Sequence, residues 1–157
     1  MSRSSLEQAV PPGTQILLDT SVILAYLNAR ETVSPAATVV IDEFVRAGRN
    51  RATISALSVA ETLVRPFAAG AAAVGIVEAF LLHFPNLTVS GVDYEMAREA
   101  GRLRAETGLK RPDALIIATA LGAGIPLLIA NDAKWASAIA DAAPTVTLCH
   151  LDAHVPL

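Results

Sequence analysis

The chain has 157 residues, of which 53% are hydrophobic and only 4% aromatic, so it is long enough for one domain with an aliphatic core. The net charge of −3 argues against binding of nucleic acid through bulk positive charge. A single cysteine, Cys149, excludes an internal disulfide. With no signal-peptide pattern at the N-terminus, it predicts a cytoplasmic protein.

Residues 1–13 end in Pro11-Pro12-Gly13 and are predicted to form a flexible arm before a single domain of residues 14–157. Short aliphatic runs predict strands at residues 16–18, 52–54, 87–89, 127–129 and 146–148. Helices are predicted between them, at residues 21–27, 34–47, 55–64, 69–82, 93–107, 113–121 and around 135–139. Helices that alternate with short strands indicate an α/β fold with a parallel sheet covered on both faces.

Several helix ends have clear sequence signals. Ser34-Pro35 is a typical helix start, and Asp93 and Gly108 are typical residues at the two ends of one helix. Pro66 is expected to end or kink the helix that carries Glu61. The long apolar stretch 114–130 is broken by Gly122, Gly124 and Pro126, so no membrane span is predicted.

Four acids adjoin apolar segments at comparable places in this pattern. Asp19 and Asp132 follow strands, Asp113 lies in the first turn of an almost wholly apolar helix, and Glu61 is set among apolar neighbours. Taken singly, each has an ordinary interpretation as a helix cap, a helix N-terminal charge or a solvated edge residue. Four acids at the strand edge where α/β proteins bind ligands are harder to explain in that way.

The chemistry of these acids favours a metal ion. No serine, cysteine or histidine is placed as a nucleophile beside a base, and a glycine-rich phosphate loop is absent from the sequence. Carboxylates without such partners are typical ligands of a hard divalent cation, Mg²⁺ or Mn²⁺.

Four segments combine acids with apolar or small residues, at residues 17–23 (LLDTSVI), 58–61 (SVAE), 111–120 (RPDALIIATA) and 130–132 (AND). In these segments and in their order, the sequence resembles the PIN-domain nucleases, and most of all the VapC-like toxins of toxin–antitoxin pairs. The third segment is the most specific. Ala130 departs from the pattern, because the family usually has Thr or Ser before Asn-Asp.

The resemblance implies a PIN-like α/β/α sandwich with a short, mainly parallel central sheet. It implies an acidic pocket for Mg²⁺ or Mn²⁺, in which Asp19 and Asp113 touch the metal most directly and Glu61 and Asp132 support it. The implied activity is endoribonucleolytic cleavage of tRNA, rRNA or mRNA, with basic residues between 98 and 111 gripping the phosphates. The implied partners are a VapB-like antitoxin that blocks the site and a second copy in a homodimer.

Three other interpretations compete with this one. The chain could be a catalytically weak PIN-like module that acts through dimer or antitoxin contacts. A phosphatase that phosphorylates its own aspartate is disfavoured, because Ser21 stands where such enzymes need a second acid. A zinc site near the C-terminus is also rejected, because a strand is predicted there and the ligands are too few; its residues would be Cys149, His150, Asp152 and His154.

Overall fold

The computed structural model describes residues 3–155, which form one parallel sheet with helices on both faces. The sheet has five strands in the order β3-β2-β1-β4-β5, and every neighbouring pair is parallel. The strands are β1 (Ile16–Leu18), β2 (Ala52–Ser55), β3 (Leu87–Ser90), β4 (Leu127–Ala130) and β5 (Thr147–His150). The predicted α/β/α architecture is confirmed. Four predicted strands begin at the observed residue, and β5 begins one residue later than predicted.

Helices of very different length connect the strands. They are α1 (Arg3–Ala9), α2 (Thr20–Asn28), α3 (Ser34–Thr38), α4 (Ala56–Ala69), α5 (Ala71–His83), α6 (Tyr94–Thr107), α7 (Arg111–Gly122) and α8 (Trp135–Ala142). A π-helix, Val39–Arg46, continues α3, and a 3₁₀-helix, Leu151–His154, follows β5. The single helix expected at 34–47 is therefore an α-helical turn followed by a π-helix. Within the described residues, none of the helices has both the length and the apolarity needed to cross a bilayer.

The N-terminal segment differs from the flexible arm that was expected. Residues 3–9 form α1, and Leu6 and Val10 are buried in the main core. The hydroxyl of Ser5 also lies 2.8 Å from Nδ1 of His154, near the other end of the chain. The polar composition of this segment concealed two apolar side chains one helical turn apart, which are enough to dock a short helix. Residues 1 and 2 lie outside the described residues.

The two faces of the sheet carry separate apolar cores. Side chains alternate along β1, so that Ile16 and Leu18 face the core beneath α1, α2, α3 and the π-helix, whereas Leu17 faces the core beneath α6, α7 and α8. Burial on both faces explains why the strands are aliphatic throughout. The almost wholly apolar helix predicted at 113–121 is α7, and six of its residues are buried.

The helix-end predictions were correct for α6, whereas α4 and α3 differ from them. Asp93 caps α6 by accepting from the N–H of Met96 at 2.8 Å, and Gly108 ends it with a positive φ of 71°. Pro66 does not end α4, which continues to Ala69. Ser34 is the first residue of α3 rather than its cap, and its hydroxyl donates to the carbonyl of Ala25 at 2.7 Å.

Candidate functional site

Asp19 connects β1 to α2 at the carboxyl edge of the sheet. Its backbone N–H donates to the carbonyl of Ile129 at 2.9 Å, which ties it to β4. Its carboxylate caps α2 by accepting from the N–H of Ser21 at 3.1 Å, and it accepts from the Ser21 hydroxyl at 2.5 Å. The residue is only 7% exposed. Burial raises the pKa of this carboxyl, the hydrogen bonds of Ser21 and Thr20 lower it, and the charge of Glu61 raises it.

Glu61 is half-buried on the second turn of α4 and is held by a hydroxyl from α2. The Thr20 hydroxyl donates to Oε2 of Glu61 at 2.5 Å and lies 2.9 Å from the hydroxyl of Ser58. Because a hydroxyl carries one proton, Ser58 must donate to Thr20 when Thr20 donates to Glu61. Both Thr20 and Ser58 are buried. This chain of hydroxyls fixes the Glu61 carboxylate on the Asp19 side of the site.

Asp113 and Asp132 form the other half of the site. Asp113 lies in the first turn of α7, and Asp132 accepts from the N–H of Lys134 at 2.9 Å in the turn before α8. Burial raises the pKa of Asp113, and the charges of Asp132 and Glu61 add to this, whereas the nearby Trp135 indole and Lys110 lower it. The indole N–H of Trp135 lies near the Asp113 carboxylate, but it forms no well-aligned hydrogen bond with any acceptor among the described residues.

The structure brings the four predicted acids together as two pairs. The charge of Glu61 raises the pKa of both Asp19 and Asp113, and the charge of Asp132 raises the pKa of Asp113. Within residues 3–155, however, no three side chains of His, Cys, Asp or Glu stand close enough together to hold one metal ion. Glu61 is held by Thr20 and Asp132 by its own turn, so the pairs do not close on a common centre. The arrangement is an acidic site, defined by Asp19, Glu61, Asp113 and Asp132.

Sequence reasoning missed the hydroxyl groups that support these acids. Ser21 contacts Asp19 and also accepts from the N–H of Asn131 at 3.1 Å, so it joins the two loops that carry Asp19 and Asp132. Ala130, where the family pattern has a hydroxyl, is wholly buried in the core. A signal was present in the sequence, since Ser21 and Thr20 adjoin Asp19 and Ser58 lies three residues before Glu61 on the same helix.

The predicted basic group at 98–111 is divided by the structure. Arg102 is paired with Glu99 and Glu106 and donates to the carbonyl of Ala142, so its guanidinium group is already engaged. Lys110, in contrast, lines a cleft of about 420 Å³ together with Asp113, Asp132 and Lys134. Lys134 was not among the predicted basic residues.

The residues of the rejected zinc site have other surroundings. Cys149 is buried in the core, and burial raises the pKa of its thiol to about 11. His154 is engaged with Ser5. Burial of the thiol and a hydrogen-bonded histidine are both typical of residues with a structural role.

Comparison with known proteins is consistent with this geometry. The family model described as PIN domain matches residues 16–140, which include all four acids. No protein of curated function matches the chain.

Several solved structures share the fold. VapBC2 from Rickettsia felis, bound to a DNA fragment of its promoter, is 18% identical with a TM-score of 0.65, covering 87% of this chain and 98% of that one. Mycobacterium tuberculosis VapC20, a toxin that cleaves the sarcin-ricin loop, is 21% identical with a TM-score of 0.64, covering 78% and 94%. VapBC-5 from Mycobacterium tuberculosis is 26% identical with a TM-score of 0.53, covering 87% and 98%. On the family match and the shared fold, the chain belongs to the PIN domain family.

Proposed function

We propose that this protein is a metal-dependent endoribonuclease of the VapC-like toxin type. The observation that carries the proposal is the placement of four carboxylates, as two pairs from four different segments, at the carboxyl edge of the sheet. Two of them, Asp19 and Asp113, have raised pKa values. Perturbed carboxylates gathered at a cleft are typical of functional sites. Membership of the PIN domain family and the likeness to toxins, one of which cleaves the sarcin-ricin loop, support the same conclusion.

The residues of the acidic site fit a hard divalent cation. They offer only oxygen donors, which Mg²⁺ and Mn²⁺ prefer. Burial and mutual repulsion penalise the ionised forms of Asp19 and Asp113, and a nearby cation would relieve that penalty. A bound ion would polarise the phosphodiester and lower the pKa of the attacking water.

Each residue of the site has a distinct task in this proposal. Asp19 and Asp113 would hold the ion, and Glu61 and Asp132 would support it from their half-buried positions. Ser21 and Thr20 restrict the carboxylates of Asp19 and Glu61 to a narrow range of positions. Removal of supporting hydrogen-bond donors of this kind commonly lowers metal affinity or activity by about 10–100-fold.

The proposal includes two protein partners, an antitoxin and a second copy of the chain. Large apolar side chains are exposed on α4 and α5, namely Val64, Phe67, Ile76 and Leu82. An apolar helical surface of this kind fits a contact with an amphipathic segment or with another copy. Solved relatives are toxin–antitoxin complexes, which supports the first partner.

The test is cleavage of total cellular RNA by the purified protein. We expect discrete fragments in Mg²⁺ or Mn²⁺, no fragments with a chelator, and no fragments from an Asp113→Asn variant that still folds. Ser137→Ala is a suitable control, because Ser137 lines the same cleft but is not one of the acids.

The outcomes separate the competing functions. Fragments that persist in Asp113→Asn would identify a contaminating nuclease and remove the support for the proposal. No cleavage together with Mn²⁺ binding in calorimetry would favour a binding module. If the wild-type protein neither cleaves RNA nor binds metal, the acidic site is not a metal centre.

A further inference from the structure

Several arginines are already engaged within the fold. Four of them have partners among the described residues, namely Arg46, Arg49, Arg102 and Arg104. Arg102 forms ion pairs with two glutamates, and each of the other three contacts an acid, a carbonyl group or the face of an aromatic ring. Their guanidinium groups already have partners, so they are poor candidates for holding a ligand.

Arg30 and Arg65 are different. Both are exposed, and neither has a hydrogen bond or ion pair with another residue of the described chain. They line one cleft of about 500 Å³ between the end of α2 and the middle of α4. Its other polar side chains are the amide of Asn28 and a single carboxylate, Glu31. Two guanidinium groups against one acid make this cleft attractive to anions.

The position of this arginine cleft relates it to the acidic site. Arg65 lies one helical turn after Glu61 on α4, on the same face of the helix. Arg30 also lines a neighbouring cleft with Asn131, whose N–H donates to the Ser21 hydroxyl that holds Asp19. The arginine cleft therefore lies on the α2–α4 side of the acids, whereas Lys110 and Lys134 line a cleft on the α7–α8 side.

We propose that Arg30 and Arg65 bind backbone phosphates of the RNA strand beside the bond that is cleaved. This inference rests on the proposed function. One turn of α4, about 5.4 Å along the helix axis, separates Arg65 from Glu61. This separation is short enough for one RNA strand to contact both residues. The guanidinium fork matches phosphate oxygens, and the amide of Asn28 can donate to a further oxygen.

The other exposed cations near clefts are less well suited. Lys110 and Lys134 share their cleft with four carboxylates, Glu106, Asp113, Asp132 and Asp141. Arg98 lies beside Asp93, Glu95 and Glu99. In both clefts the acids outnumber the cations, and the net field repels a phosphate unless a metal ion compensates it.

The experiment measures RNA binding rather than cleavage. A labelled single-stranded RNA of mixed sequence is titrated with the full-length Asp113→Asn protein across a range of salt concentrations. Arg30→Ala, Arg65→Ala and the double variant are made in this background, with Arg65→Lys as the conservative variant and Arg98→Ala as the matched control. All these side chains are exposed, so thermal unfolding should be unchanged.

The expected effect follows from counterion release. Each lost phosphate contact on a single strand reduces the magnitude of the negative slope of log K against log salt by about 0.7, which is about a fivefold loss of affinity at about 0.1 M salt. We expect this change for each arginine and about twice the change in slope for the double variant. Arg98→Ala and Arg65→Lys should keep the parent slope.

Each outcome decides the question. A double variant with the slope and affinity of its parent overturns the inference while the proposed function stands. A double variant that loses only a protein partner, with its RNA slope unchanged, assigns the cleft to that partner and also overturns the inference. A parent protein that binds no RNA while the wild type cleaves none refutes the proposed function, and the arginine cleft as an RNA site with it.

Discussion

The hydroxyl of Thr20 offers the sharpest test of how the acidic site is held. It donates to Glu61 at 2.5 Å and lies 2.9 Å from the hydroxyl of Ser58. Replacement by valine keeps the shape of the side chain and removes the oxygen. Glu61 then loses its donor, and the buried Ser58 hydroxyl loses the partner that it has among the described residues. Thr20→Ser keeps the hydroxyl and is the matched control.

The magnitude can be worked out from these two contacts. A hydrogen bond to a charged group contributes about 1.5–3 kcal/mol, and a buried polar group without a partner costs about 1–3 kcal/mol. Because Glu61 is partly exposed, water replaces part of the first contact, and the total loss should be about 2–4 kcal/mol. At about 2–4 °C per kcal/mol for a domain of this size, the Tm should fall by about 5–15 °C.

Two measurements on the same samples check this reasoning. Thermal unfolding in the presence of a chelator gives the loss of stability, and calorimetric titration with Mn²⁺ gives the loss of metal affinity. We expect Mn²⁺ to bind about 10–100-fold more weakly to Thr20→Val, while Thr20→Ser resembles the wild type. A Thr20→Val protein with wild-type Tm and wild-type Mn²⁺ affinity would refute the role of this hydroxyl.

Three further predictions concern stability. Since burial raises the pKa of Asp19 above 3.8, its contribution to stability is greatest below that pH and is lost as the pH rises through the raised pKa. Asp19→Asn should therefore melt higher than the wild type at neutral pH in a chelator and equally at low pH; equal Tm values at neutral pH would contradict this. Leu6→Ala should lower the free energy of unfolding in urea by about 2–5 kcal/mol, because α1 is docked on the core. If it lowers that free energy no more than Gln8→Ala, at an exposed position of α1, then α1 is a loose arm. Ile117→Ala should cost about 2–5 kcal/mol, against less than about 0.5 kcal/mol for exposed Ile76→Ala; equal losses would contradict the burial of α7.

Local signals explain why much of the fold could be predicted. The aliphatic runs mark the strands, because a sheet covered on both faces buries every residue of a short strand. Asp93 and Gly108 mark the ends of α6, because capping depends on neighbouring residues only. The same local logic located the four acids, since each adjoins a strand end or a helix that the sequence itself reveals.

The sequence by itself determined the succession of strands and helices from β1 onward and the aliphatic cores on both faces of the sheet, and it indicated the four acids as a candidate site. Only the tertiary structure decided which groups meet, because that depends on contacts between residues far apart in the chain. It joined Glu61 to Thr20, the residue that follows Asp19, and it docked α1 on the core. It paired Arg102 with Glu99 and Glu106. It also placed Arg30, which follows α2, and Arg65, on α4, around one cleft. None of these contacts leaves a periodic pattern in the sequence, since each is a consequence of how helices pack on the sheet.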